Sequence, residues 1–128
     1  MTQPAQLRPP ERRLPDPATP GIADARLLPN DEFSAAWSSI TLPLGVKEGL
    51  VRTAVAGMRL RQRVPFEALP LHGVMLVTGV PGVGKTTLAR GLADKIARTV
   101  RGAGAWAFIE IDPHALASSS LGRSQRSV

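Results

Sequence analysis

From Val46 to about Arg63, apolar residues return at helical spacing. Leu50, Ala54 and Met58 form one stripe flanked by Val51 and Val55, while Lys47, Glu48, Arg52, Arg59, Arg61 and Arg63 lie on the polar side. That division of faces predicts an amphipathic helix, and the arginines of its last turns suit the negative end of the helix dipole. A second helix is predicted from Thr86 to about Val100, where Leu88, Leu92 and Ile96 recur every four residues and Gly102 and Gly104 follow as stop signals. A shorter one begins at Asn30, a capping residue, with Asp31 and Glu32 in its first turn and Phe33 and Trp37 one turn apart. Two runs read as strands: Val74 to Thr78, apolar enough for burial on both faces, and Ala105 to Ile111. Strand, helix and strand in that order make a βαβ unit, so both strands are expected in one parallel sheet of a three-layer α/β domain. Leu116 is expected in a Ser/Gly-rich loop.

The pattern fails upstream. Residues 1–29 hold seven of the 12 prolines, with few large apolar side chains among them. Such a segment buries too little surface to offset its ordering entropy, so residues 1–30 are expected to form a disordered or extended tail and residues 31–128 the folded part. With two strands and about three helices the core is thin. Marginal stability and an exposed apolar sheet edge are expected.

Composition narrows the classes. The chain has 128 residues and a hydrophobic fraction of 43%, enough for one core. No run approaches the ~18 apolar residues that span a bilayer, and the first twenty residues lack the apolar stretch of a secretory signal. The absence of cysteine excludes disulfides and thiolate metal sites, and fits a cytoplasmic protein. The net charge of +6 is spread along two helices and the C-terminal segment, and aromatic residues make up only 4%. A base-stacking platform for nucleic acid is therefore not expected.

One stretch carries chemistry. Gly79-Val80-Pro81-Gly82-Val83-Gly84-Lys85-Thr86 satisfies G-x-x-x-x-G-K-[ST], the phosphate-binding loop, between a predicted strand and a predicted helix as the motif demands. Polyphosphate must lie against bare backbone N–H groups, which explains the glycines. Lys85 supplies a mobile cation for the β- and γ-phosphates, Thr86 a hydroxyl for Mg²⁺, and Thr87 continues the helix end whose dipole faces the anion. Residues 79–87 are thus the expected ATP–Mg²⁺ site, with Lys85 as its catalytic residue and Thr86 as its metal contact. Glu110 and Asp112, at the end of the second strand, admit two readings. They are acceptor-binding acids of a small-molecule kinase, or Asp112 before Pro113 and His114 starts a turn. His114 has no second ligand at metal spacing. A basic, nucleic-acid-associated module is a further alternative.

Beyond the motif, the chain resembles a known family. The form with Pro81 is common among AAA+ ATPases, and Trp37-Ser38-Ser39-Ile40 followed by Val46-Lys47-Glu48-Gly49-Leu50-Val51 looks like the segment leading into their P-loop module. Phe108-Ile109-Glu110-Ile111-Asp112-Pro113-His114-Ala115-Leu116 resembles the second strand and following turn of the pachytene-checkpoint family, with Ser124-Gln125-Arg126 where that family starts its next helix. The resemblance runs from about Phe33 to Val128. It implies an AAA+ P-loop fold present in part, ATP hydrolysis coupled to remodelling of a partner, HORMA-domain clients and a homo-hexamer of the full-length protein. It also implies that the Trp37 segment packs beside adenine. Two departures stand out. The pore-loop region Ser118-Ser119-Ser120-Leu121-Gly122 lacks an aromatic, and the 128 residues end before an acidic third strand. The expectation is a chain that binds ATP but does not hydrolyse it unaided.

Overall fold

The computed structural model describes residues 14–69, 73–100 and 104–118. The elements run β1 (Ile22–Leu28), α1 (Asp31–Ser39), α2 (Val46–Arg63), α3 (Lys85–Thr99) and β2 (Trp106–Ile111). Contacts divide the chain into two compact units, one holding residues 27–108 and the other the residues on either side.

The three helices form where their local sequence signals place them. Asn30 caps α1, its Oδ1 accepting the Phe33 N–H at 3.0 Å, with Asp31 and Glu32 in the first turn. α2 ends with Arg61 and Arg63 in its last turn, beside the negative pole of the helix. In the larger unit, Phe33 and Trp37 of α1, Val55 of α2, and Leu92, Ala97 and Val100 in and after α3 are the buried apolar side chains among the described residues. The Phe33 ring meets Phe108 edge to face, centroids 5.1 Å apart.

α1 lies unusually close to α3 because Gly91 has no side chain. A Cβ there would sit 2.8 Å from Trp37 Cβ and 3.0 Å from Trp37 Cα. Below this contact a buried carboxylate joins the same two helices. Asp94, fully buried, accepts the Asn30 N–H through Oδ1 and the Arg98 Nε–H through Oδ2, each at 2.8 Å. Arg98 also reaches Asp31 at 3.2 Å. Hydrogen bonding to Asp94, then to Asp31, raises the Arg98 pKa. A raised arginine keeps its contribution below its ordinary pKa and loses it only as pH climbs through the raised value, so this guanidinium adds no pH dependence near neutrality.

These contacts predict opposite outcomes for one substitution at two helical glycines. Gly91→Ala is expected to destabilise by about 1–3 kcal/mol through overlap with the Trp37 backbone, despite alanine's better helix propensity. Gly57→Ala on α2, where an added Cβ meets nothing within 4 Å, is expected to stabilise by about 0.5–1 kcal/mol. Urea melts of the two variants check the sign.

The sheet departs from expectation. It has two strands, and β1 pairs with β2 in antiparallel sense. Asp112, just past the end of β2, donates its N–H to the Gly21 carbonyl just ahead of β1 at 2.9 Å. No parallel sheet forms among the described residues. Val74 to Thr78 stays outside any ladder, with Val74 83% and Leu76 85% exposed. The physical reason is pairing: a strand meant for burial on both faces needs neighbours for its N–H and C=O groups, and none lies beside this one among the described residues. Part of the segment expected to be a disordered or extended tail takes regular structure. Its residues 22–28 form β1, whereas residues 1–13 lie outside the described ones. Residues 113–118 form a short helical turn, not the expected loop at Leu116.

Candidate functional site

Every residue of the predicted phosphate loop lies in the larger unit, between an extended segment and the first turns of α3. Residues 81–83 turn the chain, with Gly82 at φ 83° and Gly84 at φ 90°. Both angles fall in the left-handed region, where a side chain costs roughly 1–2 kcal/mol. At Gly79 the constraint is space, since a Cβ would approach Val83 Cγ2 to 3.2 Å.

Lys85 folds back along the loop. Its Nζ donates to the Gly79 carbonyl at 2.5 Å and to the Val80 carbonyl at 2.9 Å. An ammonium has three donors, so these bonds brace the loop and leave one N–H, with the full positive charge, at its centre. Gly84 stands at the N-cap and offers no side-chain hydrogen bond, and no acidic residue occupies the first turn of α3. The contrast with α1 is direct, for there Asn30 caps the end and Asp31 and Glu32 offset its positive pole. At α3 no side chain offsets the pole, an arrangement that suits an anion. Gly79, Val80, Pro81, Gly82, Val83, Gly84 and Thr86 are exposed, and Lys85 and Thr87 are half-buried. This donor set suits a polyphosphate: bare N–H groups, one lysine, two hydroxyls and no competing carboxylate.

Other predicted residues fall elsewhere. Glu110 lies on β2 and belongs, with Asp112, to the smaller unit. Asp112 Oδ1 accepts the His114 N–H at 2.9 Å, starting the helical turn that follows. This favours the turn-initiator reading over an acceptor-binding acid. Among the described residues no group of His, Cys, Asp and Glu is arranged to hold a metal ion. Trp37, expected beside an adenine, is 7% exposed, packs on Gly91 and lies beneath the Lys47 ammonium, 5.2 Å from its ring centroid. Residues 119–128, which include Leu121 of the pore-loop region and Ser124 to Arg126, lie outside the described ones. A cleft of about 710 Å³ opens between α2, α3 and residues 73–75, with Ala54, Met58, Val74, Met75, Leu92 and Ile96 among its lining. Its wall is apolar, and no residue of the loop lines it.

Sequence reading missed Gly91 and Asp94. A glycine inside a helical pattern is itself a sign of close backbone approach, and Asp94 with Arg98 has the i, i+4 spacing of an ion pair.

Residues 75–128 match the AAA family, ATPases associated with various cellular activities. Over these residues the chain is similar to the AAA ATPases, which supports an ATPase-type function. Over most of its length the chain further resembles the pachytene-checkpoint proteins. It is 32% identical over 110 residues to a pachytene checkpoint protein 2 homolog of Danio rerio, covering 83% of this chain and 26% of that protein. The homolog from Arabidopsis thaliana is 34% identical over 71 residues, 55% of this chain and 15% of its own length. A CD-NTase-associated protein 6 of Pseudomonas aeruginosa is 40% identical over 108 residues, 84% of this chain and 35% of its own length. The chain thus spans about a third or less of these relatives. No solved structure matches it. Among the described residues no helix is long and apolar enough to cross a membrane.

Proposed function

We propose that residues 79–87 bind the triphosphate of ATP with Mg²⁺, and that the chain is the N-terminal part of an AAA+ ATPase that remodels a partner protein. The observation that carries this reading is the uncapped, acid-free N-terminus of α3 behind a glycine loop braced by Lys85. In the proposed complex the N–H groups of Gly82, Gly84, Lys85 and Thr86 meet phosphate oxygens. Lys85 neutralises the β- and γ-phosphates, and the Thr86 hydroxyl holds the metal, with Thr87 beside it. Mg²⁺ would be held there by the Thr86 hydroxyl and would supply neutralisation of the triphosphate's negative charge.

Hydrolysis also needs an acidic pair, a polar sensor and a neighbour's arginine, which by the resemblance belong to the length the relatives have beyond this chain. On this reading residues 1–128 bind nucleotide without turning it over. A HORMA-domain client and a homo-hexamer of the full-length form follow from the same resemblance, and the cysteine-free composition fits a cytoplasmic setting. Nucleic acid has no place in it, because the basic side chains of α2 flank its polar face and C-terminal end.

Isothermal calorimetry tests the phosphate dependence. ATP–Mg²⁺ is expected to bind with one site per chain, ADP–Mg²⁺ more weakly and adenosine not measurably. Equal binding of adenosine and ATP would place recognition on the base and overturn the assignment to residues 79–87.

A further inference from the structure

A second cleft, about 370 Å³, is lined by Trp37, Lys47, Glu48, Val51, Arg52 and Lys95, all in the larger unit. We propose that it docks an acidic segment of a partner protein, independently of the phosphate loop. Three cations from two helices face one carboxylate. Lys47 is held in place by a neutral anchor, its Nζ donating to the Trp37 carbonyl at 2.6 Å, so no carboxylate offsets its charge. Neither Arg52 nor Lys95 carries a side-chain hydrogen bond or ion pair among the described residues. Two arginines outside the cleft are offset by carboxylates, Arg26 by Asp24 and Arg98 by Asp94 and Asp31, whereas the cleft gathers three cations that no ion pair offsets among the described residues.

The floor of the cleft is closely packed. Trp37 is locked against Gly91 by backbone-close contact, which fixes Lys47 through the carbonyl it bonds. Like charges gathered over a low-dielectric wall focus a positive potential, and a carboxylate meeting them forms charge-assisted hydrogen bonds. The Arg52 guanidinium adds a fork suited to a carboxylate. The apolar wall of Val51 and Trp37 selects among anions, favouring carboxylates that flank an apolar side chain over a bare phosphate. With Trp37 buried, there is no ring face on which a base could stack.

The test is fluorescence anisotropy with a labelled peptide alternating Glu and Leu, set against the same peptide with Gln for Glu, at about 50 mM salt. Wild-type protein is expected to bind the Glu peptide and not the Gln peptide. The Arg52→Glu, Lys95→Glu double variant should bind at least tenfold more weakly, and Lys85→Ala as tightly as wild type. The milder Arg52→Gln, Lys95→Gln pair, with a thermal melt matching wild type, separates lost binding from lost fold and should weaken binding in the same direction. No binding of the Glu peptide, equal binding of the Gln peptide, or undiminished binding by both double variants would overturn the proposal. So would displacement of the peptide by inorganic phosphate or a single-stranded oligonucleotide at comparable concentration. Loss of peptide binding in Lys85→Ala alone would assign the peptide to the phosphate loop and equally end it.

Discussion

Lys85→Ala is expected to abolish the stabilisation that ATP–Mg²⁺ gives the wild-type chain. At a ligand concentration near 100 times its Kd, wild type gains about 2.7 kcal/mol of apparent stability, and the variant is expected to gain none. Two losses combine. The substitution removes the cation for the β- and γ-phosphates, and it removes the bonds to the Gly79 and Val80 carbonyls that brace the loop around them. Without ligand the variant should melt close to wild type, because the loop it alters is exposed and outside the core. Thermal unfolding with and without nucleotide measures both quantities. An equal ligand shift in the variant would remove Lys85 from the site.

Phe33→Ala is expected to have the largest effect on the fold itself. Phe33 is 2% exposed, and its ring packs edge to face on Phe108. Truncating a buried phenylalanine costs about 3–5 kcal/mol through lost transfer energy and the cavity left behind. Total stabilities of small domains run about 5–15 kcal/mol, and this core rests on few side chains. The variant should therefore lose most of its cooperative urea transition, and Phe33→Leu should keep it at a lower midpoint. A Phe33→Ala midpoint equal to wild type would show that the α1–β2 contact carries little of the stability.

Both effects were readable in part from sequence, and the division follows the range of the interactions. The helices are local objects: the stripe on α2, the Asn30 cap and the Leu88, Leu92, Ile96 repeat lie within a few turns of the residues they order. The candidate phosphate loop is also local, a glycine run followed at once by a helix. Sheet pairing is not. Val74 to Thr78 has the composition of a central strand, yet composition does not supply neighbours, and in the structure it remains unpaired. β1 was hidden by the prolines around it, although the stretch between Pro20 and Pro29 contains none and carries Ile22, Leu27 and Leu28. The Trp37–Gly91 approach and the Asp94 bond to Asn30 join residues more than fifty positions apart. Only the mid-helix glycine and the Asp94–Arg98 spacing hinted at them.

The loop and the helix contacts bear on one another. α3 carries residues 85–87 of the candidate site at its first turn, while Gly91 and Asp94 further along fix it to α1. The N–H groups proposed to face phosphate thus sit on an element held by the core, although the loop ahead of it is exposed. Support of this kind behind an exposed loop places donors before a ligand arrives.

The most direct measurement is a two-dimensional amide NMR spectrum of the chain recorded with and without ATP–Mg²⁺. The account predicts that the largest shifts fall on the amides of Gly82, Gly84, Lys85, Thr86 and Thr87, with those of β1 and of residues 110–116 nearly unmoved. Shifts centred on Glu110 to His114, or spectra that superimpose at saturating nucleotide, would contradict it.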